Sequence, residues 1–446
     1  MPERPDGQRI TPPDTSRPAP LLLIRNGRVI DPESDLDTVM HLVVRDGRIE
    51  SLTAQVPSEA SFDRVIDAAG MWVVPGLIDM HVHLREPGRE DKETIFSGTC
   101  AAAAGGFTGV ACMPNTTPVL DEESKIRYVL QRAAAAPCRV FPVGSITRGL
   151  GGEELSPFGE MVTAGARAFS DDGKTVRSAD LMKNACNYAR TFNVPLLCHC
   201  EDPDLSANGH MNEGEMSTRL GIRGIAAIAE ENIVARDIML AQYTGARVHI
   251  CHVSTAGSVT LIREAKRRGS HVTCETAPHY FTLTDESVAT YDTNKKMNPP
   301  LRTEHDRQAL LEGLADGTID AIATDHAPHV PEDKDVEFDA AAFGVIGLET
   351  SVGACITHLV HTGVLTPAHL IRTMSCNPAA ILGLPAGNLR TGSCADITII
   401  EPDHAWTVHP DRFYSKSRNC VFGGDSFTGR TRQTILGGRV IYERSA

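Results

Sequence analysis

Eight short apolar runs, most of them followed by a helix-compatible stretch, constrain this chain more than any other feature. They are GLIDMHVH (76–83), FTGVACM (107–113), CRVFPVG (138–144), ARAFSDD (166–172), VPLLCHC (194–200), RVHICHV (247–253), HVTCETA (271–277) and DAIATDH (320–326). Near-continuous apolar runs of this length suit strands covered on both faces, as in a parallel sheet. Segments such as TIFSGTCAAAAGG, ADLMKNACNYARTF and SVTLIREAKRRG supply the crossover helices. Eight such units over about 300 residues fit a (β/α)8 TIM barrel, an α/β fold. An open doubly wound sheet fits less well, because no GxGxxG follows the first run and no Walker lysine motif occurs.

The flanks read differently. Residues 20–75 hold short β-type runs with Asn26-Gly27 and Asp46-Gly47 at turn positions, and residues 389–446 repeat the pattern. NGRVI near the start and GGRVI near the end suggest one small β-sandwich module built from both flanks around a barrel spanning 76–388. Residues 1–19 are Pro-rich and polar and read as a disordered leader.

The strand ends carry the chemistry. Residues i and i+2 of a strand share a face, so His81 and His83 point together at the C-terminal rim, where barrel enzymes keep their active sites. The fourth run ends in Asp171 and Asp172, the fifth in His199, the sixth in His252 and the eighth in Asp325. One buried histidine needs no functional explanation; ligand-type residues ending five of eight strands do. Strand parity turns Cys198 and Cys200 away from His199, and sets His249 opposite His252 as a structural residue. Four histidines and two carboxylates exceed one tetrahedral zinc with an open position. Two zinc ions roughly 3.5–4 Å apart are the economical solution, with Asp171 or Asp172 between them.

A net charge of −14 argues against a nucleic-acid or anionic-membrane binder. No run reaches the roughly 18 apolar residues of a membrane span. Twelve scattered cysteines without a CxxC pair point to a reducing cytoplasm.

DMHVHLREPG, MPNTTPV, FSDDG, CHCED, CHVST, KMNPPLR, ATDHAPH and FGVIGLET together resemble the bacterial class I dihydroorotases of the amidohydrolase superfamily, from about residue 21 onward. The resemblance implies reversible, zinc-dependent cyclisation of N-carbamoyl-L-aspartate to L-dihydroorotate, the third step of pyrimidine synthesis. It implies one zinc on His81, His83 and Asp325, and a second on His199 and His252, with Asp172 bridging. Some relatives bridge with a carboxylated lysine, for which Lys174 is the weaker candidate. Substrate contacts carried over are His83, Leu84, Arg85, Asn115, Asn298, His329 and the backbone of Phe343 and Gly344, with Asp325 as catalytic base and acid. DAAAFG lacks the proline expected near its second alanine, which leaves the loop path open. The stretch 326–344 can act as a lid carrying His329. A homo-oligomer is expected, with aspartate transcarbamoylase a candidate partner, as for some relatives. Arg85 and the aspartate bridge argue against a hydantoinase or allantoinase. The four retained histidines argue against an inactive scaffold subunit.

Overall fold

The computed structural model describes residues 7–14 and 16–445. Each of the eight runs contributes a parallel strand: β1 Leu77–Val82, β2 Phe107–Cys112, β3 Arg139–Gly144, β4 Ala168–Phe169, β5 Leu196–Cys198, β6 Val248–Ile250, β7 Val272–Thr276 and β8 Ala321–Ile322. They pair in chain order, and β8 meets β1 through a Val82–His326 bridge and a 2.8 Å hydrogen bond from His83 N to His326 O. This is a TIM-like barrel.

Parity divides its strands. Val110 and Cys112 of β2 face the helices, whereas Ala111 and Met113 join Ile78, Met80, Val143, Ala168, Leu197, Cys251, Ala321 and Ala323 inside the barrel. The interior is thus a packed floor, with the polar rim above it.

Local sequence starts and stops the helices. Thr94 caps α1 (Ile95–Gly105) in a capping box with Ser97, and Gly106 ends it with a φ of 98°. The CAAAAGG composition lets α1 lie close to its neighbours; a Cβ on Gly105 would overlap the Leu348 carbonyl.

The flanks form one nine-stranded sheet. Ile397–Thr407 pairs antiparallel with Trp72–Pro75, which joins the two ends of the chain across the barrel. The sheet curls back on itself: Ala395 N donates to Gly47 O at 2.9 Å, and Gly438 N donates to Ala395 O at 3.0 Å. Leu22, Ile24, Leu42, Val44, Ile397, Ile399 and Ile435 fill the core so enclosed. Thr398 Oγ1 and Thr434 Oγ1 donate to Gly106 O and Ala103 O at 2.6 Å each, fastening the module to the end of α1.

The leader expectation needs correction where it can be compared. Residues 1–6 and 15 lie outside the described residues, but Gln8–Ile10 is an edge strand paired with Arg439–Arg444. Gln8 and Ile10 are buried, so this short segment gains both ladder bonds and apolar burial.

Replacing Ile397, which is fully buried in the module core, tests how far that core holds the two flanks together. Ile397→Ala should lower the unfolding free energy by about 2–5 kcal/mol, read from the denaturant midpoint. Metal content of the folded fraction should be unchanged.

Candidate metal centre

The rim residues reach their positions by interrupting the strands. On β1 the pairing with β2 slips by one residue between Asp79 and Val82, so Met80 stays inside while His81 and His83 also face the mouth. His252 and Asp325 leave β6 and β8 with φ of 36° and 49°, a left-handed twist that re-aims each side chain.

These residues converge. Asp172 lies between two histidine pairs: its Oδ1 is 3.2 Å from His81 Nε2 and its Oδ2 3.5 Å from His83 Nε2. On the other side, Oδ1 is 3.8 Å from His199 Nδ1 and 3.7 Å from His252 Nε2. Asp325 Oδ1 approaches His83 Nε2 at 3.2 Å and His81 Nε2 at 3.6 Å. His199 Nδ1 and His252 Nε2 stand 2.9 Å apart. Two overlapping triads, His81–His83–Asp325 and His81–Asp172–His252, each place their donor atoms within 4.8 Å of one another.

The donor set suits a divalent cation. His81 Nε2 and Asp172 Oδ1 are sealed from solvent and have no hydrogen-bond partner. Two lone-pair donors left facing each other in a buried site are what a bound cation would satisfy.

The candidate ligand histidines are also turned the right way. His81 Nδ1 donates to Glu275 Oε1 at 2.8 Å, and His83 Nδ1 to Asn115 Oδ1 at 2.9 Å. An acceptor on one ring nitrogen fixes the tautomer and leaves the other lone pair toward the centre. Glu201 Oε2 sits 3.6 Å from His199 Nε2 and favours a proton there, with Nδ1 inward. Asn115 completes its bonding by donating Nδ2 to Asp172 Oδ2 at 3.2 Å.

Geometry separates the candidates that parity left open. Asp171 is turned away, accepting from Thr147 N at 2.9 Å and from the Thr147 hydroxyl. Lys174 Nζ donates to Leu150 O at 3.2 Å and does not reach between the histidine pairs. Cys198 and Cys200 pack in the barrel–helix layer as parity predicts. His249 is a correction. It faces inward beneath the rim, 3.3 Å from Glu275 Oε2 and 2.8 Å from Thr273 Oγ1, because the twist at His252 breaks the alternation.

A cavity of about 220 Å³ runs from this centre to a cationic end. Its walls include His83, Arg85, Asn115, Asp172, His199, His252, Asn298, Asp325, His329, Phe343 and Gly344. Burial lowers the Arg85 pKa to about 10, which still leaves it charged at neutral pH. Arg85 Nε donates to Pro328 O at 3.1 Å, and its NH2 lies 3.4 Å from His329 Nε2. Burial, reinforced by Arg85, lowers His329 to about 3, so its ring is neutral. His329 Nε2 donates to Phe343 O at 2.9 Å, while Lys92 Nζ donates to Nδ1 at 3.0 Å. Lys92 in turn pairs with Asp333 at 2.6 Å.

Leu84 is the exception among the expected substrate contacts. Its side chain is buried in the apolar layer, where a Cβ on Gly98 would press on it, and it does not line the cavity. Three supporting residues escaped the sequence reading: Glu275, Glu201 and Lys92. The rule that found the other ligands, a charged residue at a strand's C-terminal end, also marks Glu275 in HVTCETA.

Comparison with known proteins assigns the chain to a family. The Dihydro-orotase-like family model matches residues 70–258. A dihydroorotase of Pelotomaculum thermopropionicum is 56% identical, covering 95% of this chain and 98% of its own. One from Pelobacter propionicus is 53% identical, covering 95% of this chain and all of its own. The chain belongs to the dihydroorotase family. Among solved structures, the L-hydantoinase (dihydropyrimidinase) of Arthrobacter aurescens superimposes with a TM-score of 0.86 at 26% identity, over 95% of this chain and 96% of that one. The dihydropyrimidinase of Brevibacillus agri superimposes at 0.82 and 20% identity over 95% of both chains, which supports the fold alone. The superposition covers nearly the whole of this chain, and the candidate His/Asp cluster lies at the mouth of the shared barrel.

Elemental analysis of two variants separates the adjacent aspartates: Asp172→Ala should lose bound metal, whereas Asp171→Ala should retain it and lose thermal stability instead. Glu275→Ala should weaken metal binding by about 10–100-fold, measured by competition with a chelating dye.

Proposed function

We propose that this protein is a two-zinc dihydroorotase that interconverts L-dihydroorotate and water with N-carbamoyl-L-aspartate, the third step of pyrimidine synthesis. The observation that carries the reading is the placement of Asp172 between two histidine pairs, with a half-buried arginine in the same cavity. The dihydroorotase relatives at 53–56% identity supply the substrate class. His81, His83 and Asp325 would hold one ion and His199 and His252 the other, with Asp172 shared. When bound, such ions supply Lewis acidity to the scissile carbonyl and lower the pKa of water at the site to about 7.

The chain's own groups do the rest. Arg85 binds the substrate carboxylate through its planar fork, and neutral His329 lies beside it without adding a second positive charge to that contact. Gly344, with a φ of 123°, brings backbone close to the ring; a Cβ there would lie 2.6 Å from Ala327 Cβ. Asp325 handles the proton. Burial alone would raise its pKa, but His81 and His83 outweigh that and hold it at about 2. As a carboxylate it accepts the proton of the attacking water and returns it to the ring nitrogen as the C–N bond breaks. In the closing direction it takes a proton from the carbamoyl nitrogen as that nitrogen attacks the side-chain carboxyl group, which has taken up one proton from solution, and it passes its own proton to the departing hydroxyl so that water leaves.

Among the described residues no helix is long and apolar enough to cross a membrane, and no disulfide joins any of the twelve cysteines. Thiols kept out of disulfides support placing the enzyme in a reducing cytoplasm. A homo-oligomer and an aspartate transcarbamoylase partner rest on the family resemblance.

Asp325→Asn should lower kcat for dihydroorotate by about 10²–10⁴-fold, with the circular dichroism spectrum unchanged. Wild-type protein should turn over dihydroorotate in preference to hydantoin and allantoin, and lose that activity on chelation. Equal turnover of hydantoin would refute the assignment.

A further inference from the structure

Glu201 lies two residues past His199 and plays no part in the chemistry above. It nevertheless touches two functional groups. Asn298 Nδ2 donates to its Oε2 at 2.6 Å, and His199 Nε2 lies 3.6 Å from the same oxygen. A carboxylate can only accept, so Asn298 must present its nitrogen to Glu201. The amide is thereby fixed, with Oδ1 on the opposite branch.

That oxygen is unusual. Asn298 Oδ1 is sealed from solvent and accepts no hydrogen bond, in a side chain that lines the same cavity as Arg85 and Asp325. Asn115 makes the contrast: both branches of its amide are committed, to His83 and to Asp172. A buried acceptor without a donor carries a free-energy cost that a ligand donor relieves. A cyclic ureide brings such donors, its ring N–H groups.

We propose that Glu201 is a positioning residue that locks the Asn298 amide so that Oδ1 accepts an N–H of the ureide ring. The inference rests on the dihydroorotase reading and extends it to substrate selection. A site built around such a bond strongly disfavours a ligand lacking the N–H, because the acceptor then stays unpaired. The same carboxylate favours a proton on His199 Nε2, so one residue sets both a metal ligand and a substrate contact.

A double-mutant cycle on the metal-loaded enzyme tests this. Steady-state hydrolysis of dihydroorotate is measured for wild type, Glu201→Ala, Asn298→Ala and the double variant, with metal content and Tm for each. Each single change should raise KM by about tenfold with a smaller change in kcat. In KM the double variant should be no worse than Asn298→Ala, because the amide that Glu201 orients is then gone; any loss through His199 is read separately as metal content.

A swapped pair gives a second measurement if Glu201→Ala loses its metal. Asn298→Asp alone sets two carboxylates together and should raise KM by at least about tenfold. Adding Glu201→Gln supplies a donor to one aspartate oxygen, keeps the other for the substrate, and should restore KM. A merely structural Glu201 would lower Tm, add its effect to that of Asn298→Ala and leave the swapped pair without recovery in KM; that outcome overturns the inference. Wild-type turnover of dihydroorotate with an additive cycle overturns this inference alone. Metal-loaded wild type inert toward dihydroorotate overturns the dihydroorotase reading and the inference with it.

Discussion

Burying Asp172 and Asp325 beside four imidazoles at one barrel mouth is the constraint on which the rest of this structure depends. An ionised carboxylate away from water is strongly destabilising unless opposite charge lies close. Burial lowers the His81 pKa, but Asp172 and Asp325 more than reverse that and raise it well above the ordinary imidazole range. A proton and a cation would therefore compete for the same nitrogen, so a cation binding at this centre would displace a proton. The second carboxylate layer fits this logic. Glu275 is fully buried and accepts from His81 Nδ1, so the ring keeps its orientation whichever species occupies Nε2.

The cavity is electrically two-ended, and its ends depend on each other. Arg85 is half-buried, and among the described residues no carboxylate forms an ion pair with it; its hydrogen-bonding neighbours are the Pro328 carbonyl and the His329 ring. Asp325 and Asp172 nevertheless stabilise its charge across the cavity. A ligand with an anionic group at the Arg85 end and a polarisable carbonyl at the other would span the two without leaving either unpaired. A neutral ring lacking the carboxylate would leave Arg85 unmet, so Arg85 is the group in this cavity that would favour an anionic ligand.

The fold was legible in the sequence because strand burial and helix punctuation are local. Each of the eight apolar runs holds a strand, and alternation correctly sets His81 and His83 on one side and turns Cys198 and Cys200 away from His199. Alternation failed where the backbone leaves the strand. His252 and Asp325 adopt positive φ without glycine, a conformation that no composition signal announces, and His249 was misplaced for that reason. The choice between Asp171 and Asp172 needed Thr147, which lies on the loop after β3 and is distant in sequence. Leu84 was carried along with its neighbours, although alternation alone sends it to the helix layer, opposite His83 and Arg85.

The 326–344 stretch shows how long-range packing changes the meaning of a loop. Its length, acidity and prolines suggest a lid, yet buried amines tie it down. Lys334 Nζ donates to Thr293 O, Lys296 O and Ala342 O at 3.0, 3.1 and 2.7 Å. Lys296 Nζ donates to Phe338 O and Asp339 O at 2.8 and 2.9 Å. Asn419, from the C-terminal segment, bridges Ala327 O and Gly344 O, and accepts from His329 N. Opening this loop as a body would strand two lysine amines that are already partly desolvated, a cost of several hydrogen bonds at once. The segment is therefore built as a wall of the cavity, with His329 and the Phe343–Gly344 backbone held among these bonds. Such preorganisation removes the ordering cost from the binding step, and it explains why a flank of the chain as remote as Asn419 is packed into the rim of the barrel.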